Sequence, residues 1–185
     1  MMRAFVAVDA MSGGAISKLQ SEIISSTGWT TRDVKPVHSN NFHFTIIFLG
    51  EINDLEAERI KEKLSAVHFE PFTISYSGVG AFPMSGAARI IWIGVDKEGA
   101  ARLAELAGNI VAALSELGYR PDKPFSPHLT IFRVKARHPV SLTGLEKYQG
   151  ASFGMDLVEK VVLKKSDLTP SGPVYSNIYT VEAKK

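Results

Sequence analysis

At 185 residues, 45% hydrophobic and 22% charged, the chain has the composition of an ordinary globular protein and the length to bury a sizeable core. A formal charge of +2 is too small to mark a nucleic-acid binder by itself, and the absence of cysteine excludes disulfides, thiolate metal sites and a thiol nucleophile. No apolar run approaches the roughly 20 residues of a membrane helix, so a soluble cytoplasmic protein is expected.

The opening "MMRAFVAVDAMSGG" alternates over residues 3–8 and runs straight into Asp9, which reads as a first strand rather than a signal peptide. Residues 12–27 carry Ile16, Leu19, Ile23 and Ile24 at helical spacing, with Gly28 placed as a C-cap. "FHFTIIFLG" is a strand by its aromatic and β-branched content, stopped at Gly50. From Asn53, Ala57, Ile60, Leu64 and Val67 form one helical stripe. "PFTISYSGVGAFP" and "ARIIWIGVD" read as a strand pair joined by a turn over Pro83 to Ala87. The clearest helix follows, with Leu103, Leu106, Ile110, Leu114 and Leu117 on one face and Gly118 ending it. "HLTIFRV" is a strand, residues 140–147 a short helix or loop, "GASFGMDLVEKVVLKKSDL" largely one strand, and "PVYSNIYTVEA" the last. No Gly-, Pro- or Ser-rich linker divides the chain, so residues 1–185 are expected to form a single domain of two lobes sharing one interface.

Two strands repeat one pattern. "NFHFTIIFLGE" and "SPHLTIFRV" each place a histidine and a threonine two residues apart within an apolar run, so that both side chains share a strand face. The composition predicts about 0.24 chance occurrences of H-x-T. A lone core histidine bonded to a neighbour would explain either copy; two copies 85 residues apart, close to half the chain, suggest two similar strand–helix–strand units with one motif each.

A pair of imidazoles, each with an ordinary pKa of about 6.5, can hold one neutral and one protonated ring near neutral pH. The first can take a proton from water while the second gives one to a leaving oxygen. Two hydroxyls on the same face can donate to phosphate oxygens. Metal-free cleavage of a phosphodiester is the chemistry this suggests. A cationic run, Arg120, Lys123, Arg133, Lys135 and Arg137 against Asp122, favours an anionic ligand beside the second motif. His38, His68 and His138 have no partner at a revealing spacing and are expected on the surface or in loops. Neither motif has an acid within two residues of its histidine, and no G-x-S-x-G or P-loop spacing occurs.

"HFTIIFLGE" and "PHLTIFR" resemble the paired motifs of the two-histidine phosphoesterase superfamily, most closely the RNA 2′,3′-cyclic phosphodiesterases, also called 2′-5′ RNA ligases. "RAFVAV", "GVGAFP", "ARIIWIGV" and "LKKSDLTPSGPVYSNIYTV" extend the resemblance over nearly the whole chain. It implies an α+β fold: bilobal, with two pseudo-symmetric antiparallel β-sheet lobes flanked by helices around a central active-site cleft. It also implies hydrolysis of a 2′,3′-cyclic phosphate to a 2′-phosphate, on RNA ends or cyclic nucleotides. His128 would then be the proton acceptor that activates water and His43 the proton donor to the 3′ oxygen, although exchanging the roles leaves the motif unchanged. Thr45 and Thr130 would hold the phosphate. Arg133 would contact it too, which strict alternation forbids unless a bulge or strand end intervenes. Phe48 stands at the equivalent place in the first motif and is read as core, with stacking on a base as the alternative. No cofactor and no metal are expected, and the working state is expected to be a monomer. The competing readings are an RNA-end binding module and a ligase joining a 2′,3′-cyclic end to a 5′-hydroxyl.

Overall fold

The computed structural model describes residues 1–83, 87–135, 139–170 and 172–184. Among them, helices α1 (Gly13–Thr27), α2 (Asp54–Ser65) and α3 (Lys97–Ser115) alternate with nine strands. These are β1 (Met2–Asp9), β2 (Val34–Pro36), β3 (His43–Ile52), β4 (Phe72–Phe82), β5 (Ile90–Val95), β6 (Leu129–Val134), β7 (Ser152–Val158), β8 (Lys160–Thr169) and β9 (Gly172–Glu182).

The helix boundaries follow their caps. Gly28 ends α1 at φ 70°, a left-handed conformation glycine adopts without strain, and its N–H reaches the Ile24 carbonyl. Asn53 and Glu56 close a reciprocal capping box at the start of α2, and the Asp96 side chain accepts from Gly99 N–H at the start of α3.

The strands form one curled antiparallel sheet in the order β7-β4-β5-β6-β3-β1-β8-β9, with β2 added to β6. It divides at the β6–β3 contact. The first half is β3-β1-β8-β9 and the second β6-β5-β4-β7, and each half contains a strand–helix–strand unit, β1–α1–β3 or β5–α3–β6. The bilobal, pseudo-symmetric α+β architecture implied by the sequence is therefore present. The helices cover one face, where Leu103, Leu106, Ile110 and Leu114 of α3 and Ile16, Leu19 and Ile23 of α1 join Phe44, Ile91, Ile93, Leu129 and Ile131 in the core.

Three features depart from the sequence reading. The run read as one strand over residues 150–168 is two, separated at Glu159: β7 pairs with β4 in the second half and β8 with β1 in the first. Strand β2 was not expected, and a 3-10 turn at Glu146–Tyr148 occupies the ambiguous stretch near 140–147. Strand β3 also continues through Gly50, at φ 75°, to Ile52. The expected turn over Pro83–Ala87 falls partly outside the described residues.

Asp156 of β7 fastens the start of α1 to the second half. Its carboxylate accepts from Met11 N–H at 2.5 Å, Ser12 N–H at 3.0 Å, the Ser12 hydroxyl, and the buried Tyr76 hydroxyl at 2.6 Å. The Tyr76 ring in turn stacks on Phe44 of β3, centroids 6.1 Å apart. Burial opposes ionisation of Asp156, but the four donors outweigh it and hold its pKa below the ordinary value. The stabilisation is therefore complete above the usual carboxylate range and is lost as pH falls through the lowered value. Asp156→Ala, which leaves these donors without an acceptor, is expected to cost roughly 3 kcal/mol. That is roughly 10 °C in Tm by thermal melting near neutrality. The difference from the parent should shrink under strongly acidic conditions.

Candidate active site

The two motif strands touch through a single ladder pair, Phe44 with Leu129, the residue between histidine and threonine in each motif. Both of these side chains are buried in the helix-side core, so the residues flanking them point to the opposite face of the sheet. In antiparallel register the neighbours of this pair place His43 across from Thr130 and Thr45 across from His128. The two histidines are then diagonal neighbours, with backbones about 7–8 Å apart. The threonines occupy the other diagonal. All four predicted residues are thus brought together, half-buried, around one point.

Both rings are held alike. Nδ1 of His43 lies 2.7 Å from the Asn41 carbonyl, and Nδ1 of His128 lies 2.7 Å from the Ser126 carbonyl. A carbonyl only accepts, so each Nδ1 carries the hydrogen and each Nε2 is the nitrogen left to exchange a proton.

Their surroundings differ. His43 packs against Phe5 of β1 and edge-on against Tyr175 of β9, centroids 5.1 and 5.3 Å away. It pairs across the ladder with Asp9, whose carboxylate is 2.9 Å from the buried Lys164 ammonium. Burial is the largest influence on His43 and lowers its pKa; the Asn41 carbonyl and Asp9 oppose it, while Lys164 and Arg133 reinforce it. His128 lies edge-on to Phe82 and Trp92, at 5.1 and 6.4 Å. The Trp92 ring lies directly over Gly80, where a Cβ would come within 2.3 Å of it, so only glycine admits this wall.

The bulge that Arg133 demands is present. Trp92 pairs with Thr130 and Ile91 with Phe132, so Ile131 is the extra residue in β6. Ile131 and Phe132 are consecutively buried, and Arg133 emerges exposed on the motif face. A bulged residue needs its backbone satisfied from elsewhere, and the Ile131 carbonyl accepts from Val37 N–H at 2.9 Å and from the Gln20 side chain at 2.7 Å. Gln20, which the sequence reading passed over, is a buried polar residue on the core side of α1. A glutamine on an apolar helical stripe was the available signal.

Phe48 is not core. It is 73% exposed. Of the cationic run, Arg120, Lys123 and Lys135 are exposed and Lys135 donates to the Thr31 carbonyl; Arg137 lies outside the described residues. His38 and His68 are exposed, as expected, and His138 is likewise outside them. Among the described residues no three His, Asp or Glu side chains converge, and no helix is long and apolar enough to cross a membrane.

Comparison with known proteins agrees with this duplicated design. The family model for LigT like phosphoesterase matches twice, at residues 14–92 and 93–175, so that each match contains one H-x-T motif. An RNA 2′,3′-cyclic phosphodiesterase of Archaeoglobus fulgidus is 42% identical over 183 residues, covering 98% of this chain and 100% of the relative. One of the same name from Aeropyrum pernix is 35% identical over 173 residues, covering 92% and 96%. A crystal structure of a Thermus thermophilus protein is 30% identical, with a TM-score of 0.77 over 98% of this chain and 97% of that one.

The tethered rings are directly observable. Long-range proton–nitrogen NMR above the titration range is expected to show both neutral rings protonated at Nδ1, with His43 titrating below the ordinary histidine value. A His43 ring protonated at Nε2 when neutral would contradict the geometry.

Proposed function

The chain belongs to the LigT-like phosphoesterases, and on that premise we propose that it hydrolyses 2′,3′-cyclic phosphates, at RNA ends or on nucleosides, to 2′-phosphates without a metal. The observation that carries this reading is the Phe44–Leu129 contact, which sets two histidines and two threonines on one face in a crossed arrangement. In-line displacement at phosphorus needs a base and an acid on opposite sides of the phosphate, and diagonal histidines supply them. Since each half contributes one motif, the proposed working unit is the two-lobed domain of a single chain, residues 1–185.

In this reading Nε2 of His128 accepts a proton from the attacking water as its oxygen bonds to phosphorus. The P–O3′ bond breaks, and Nε2 of His43 donates its proton to the departing oxygen. A 2′-phosphate and a free 3′-hydroxyl result, and the two rings exchange protons with solvent before the next turnover. Thr45, Thr130 and Arg133 meet the phosphoryl oxygens as charge accumulates on them. The lowered pKa of His43 makes its protonated ring a stronger acid, and an arriving phosphate anion favours the charged form.

Incubating the protein in EDTA with a nucleoside 2′,3′-cyclic phosphate should yield the 2′-phosphate by phosphorus NMR; a 3′-phosphate or no turnover would overturn the reaction assigned. His43→Ala and His128→Ala should each lower kcat on the order of 10²–10⁴-fold with the fold intact, and the double variant should be little worse. An RNA substrate supplied with a 5′-hydroxyl partner reports any ligation in the same samples.

The pH dependence has a definite sign. Both kcat and kcat/KM should be bell-shaped, since one ring must be charged and the other neutral. Burial lowers His43 in the free protein, so one limb of kcat/KM should fall below about 6.5. Bound phosphate counters burial, and the corresponding limb of kcat should lie at higher pH. Coincident limbs would mean that the phosphate does not bind beside His43.

A further inference from the structure

The bulge in β6 has a twin, which lets the two halves be matched residue by residue. In the β1–β3 ladder Ala7 pairs with Thr45 and Val6 with Ile47, so Ile46 is the extra residue, as Ile131 is in β6. Ala7 of β1 therefore corresponds to Trp92 of β5. Val8 pairs with Phe44 as Ile93 pairs with Leu129, so the next residue, Asp9, corresponds to Gly94. One strand further out, Phe5 pairs with Lys164 of β8, while its counterpart Ile90 pairs with Phe82 of β4. Lys164 thus holds the place from which Phe82 meets His128 in the other half. Beside His43 the fold sets a carboxylate and an ammonium where His128 has a glycine and a phenyl ring.

The ammonium is buried. The Lys164 side chain is 7% exposed, against 35% for Asp9. Its Nζ donates to the Asp9 carboxylate at 2.9 Å and to Asn177 Oδ1 at 2.8 Å. A buried cation needs an anion and hydrogen-bond acceptors around it, so Lys164 fixes Asp9 as firmly as Asp9 fixes Lys164. From its place opposite Phe5 the lysine side chain reaches Asp9 by running along β1 past the small Ala7, where the second half has Trp92. Asp9 is the ladder partner of His43 and shares its face, yet Nδ1 of the ring is bound to the Asn41 carbonyl and not to Asp9.

We propose that Lys164 is a positioning residue of this site: it clamps the Asp9 carboxylate, so that His43 faces one end of a buried ion pair instead of a bare anion. The consequence for turnover rests on the phosphodiesterase reading above; the effect on the ring does not. An unpaired carboxylate beside His43 would retain the proton that the ring must give up, and would repel an arriving phosphate. Clamping it in an ion pair weakens both effects. Among the described residues, the charged and titratable groups facing His43 are Asp9 from β1, Lys164 from β8, Arg133 from β6, Tyr175 from β9 and, across the diagonal, His128. Of the charged ones, Asp9 favours the protonated ring, while Lys164 and Arg133 oppose it.

The test follows the His43 ring by proton–nitrogen NMR against pH, at fixed ionic strength, in the parent, Lys164→Met, Asp9→Asn and the double variant. Lys164→Met leaves the carboxylate unpaired and should raise the His43 midpoint by on the order of one pH unit. Asp9→Asn leaves the ammonium uncompensated and should lower it. The double variant should return close to the parent, and His128 should move far less than His43 throughout. Shifts of one sign in both single variants would mean disturbed packing and overturn the clamp, as would no shift in either. Should Lys164→Met not fold, the other two variants still decide, since the double variant must titrate above Asp9→Asn. Rate against pH on adenosine 2′,3′-cyclic phosphate is read in the same proteins, and one limb of kcat/KM should move with the ring. Ring shifts of opposite sign with both limbs unmoved would sustain the clamp and remove His43 from the reaction assigned above.

Discussion

One backbone contact organises this molecule. Strands β3 and β6 pair only at Phe44 and Leu129 and then part, each bending at a bulge two residues past that pair. A longer seam would have flattened the sheet and filled the space where the halves diverge. Because the paired residues point into the core, their flanking histidines and threonines must point out of it, and antiparallel register crosses them. The residue between each histidine and threonine, Phe44 or Leu129, is fully buried and so anchors its motif in the core. Small backbone shifts there would move four polar side chains at once.

Keeping so narrow a seam from opening requires support from elsewhere in the fold. Helix α1, which belongs to the first half by connectivity, lends Gln20 to the Ile131 carbonyl in the second. Its N-terminus is tied to Asp156 of β7, and Asp156 to Tyr76, whose ring stacks back on Phe44. This circuit leaves the core pair and returns to it through both halves. It uses a buried charge satisfied by four donors rather than apolar contact alone, which fixes direction as well as distance.

The sequence revealed what depends on local period and concealed what depends on distant partners. The two H-x-T motifs, their shared strand face and the helical stripes follow from periods of two and 3.6, and all appear as read. A bulge or strand end in β6 could be inferred because alternation was incompatible with the place that the resemblance implies for Arg133, and a bulge is what the strand contains. The division of residues 150–168 into β7 and β8 could not: Val158, Glu159 and Lys160 contain no glycine, proline or other turn former. Only the strands' different partners reveal the break. Phe48 was misread for the same reason that made Arg133 legible. A phenylalanine in an apolar run raises no conflict with alternation, so its bulge left no trace in the residue pattern. Asp156 and Gln20 looked like ordinary polar residues of a strand and a helix, since their partners lie 144 and 111 residues away.

Symmetry explains the last feature of the site. Two rings tethered by the same nitrogen to the carbonyl two residues before would, in identical settings, have identical acidities, and neither would be favoured as acid or base. The fold breaks this equivalence with residues outside the motifs. Around His43 it places Phe5, Tyr175 and the Asp9–Lys164 ion pair; around His128 it places Phe82 and Trp92. Burial then depresses His43, and Arg133, reaching across from the other half, adds to the effect. A duplicated backbone thus supplies two rings tethered alike, and the unduplicated side chains around them set those rings in different surroundings, which at His43 lower the pKa.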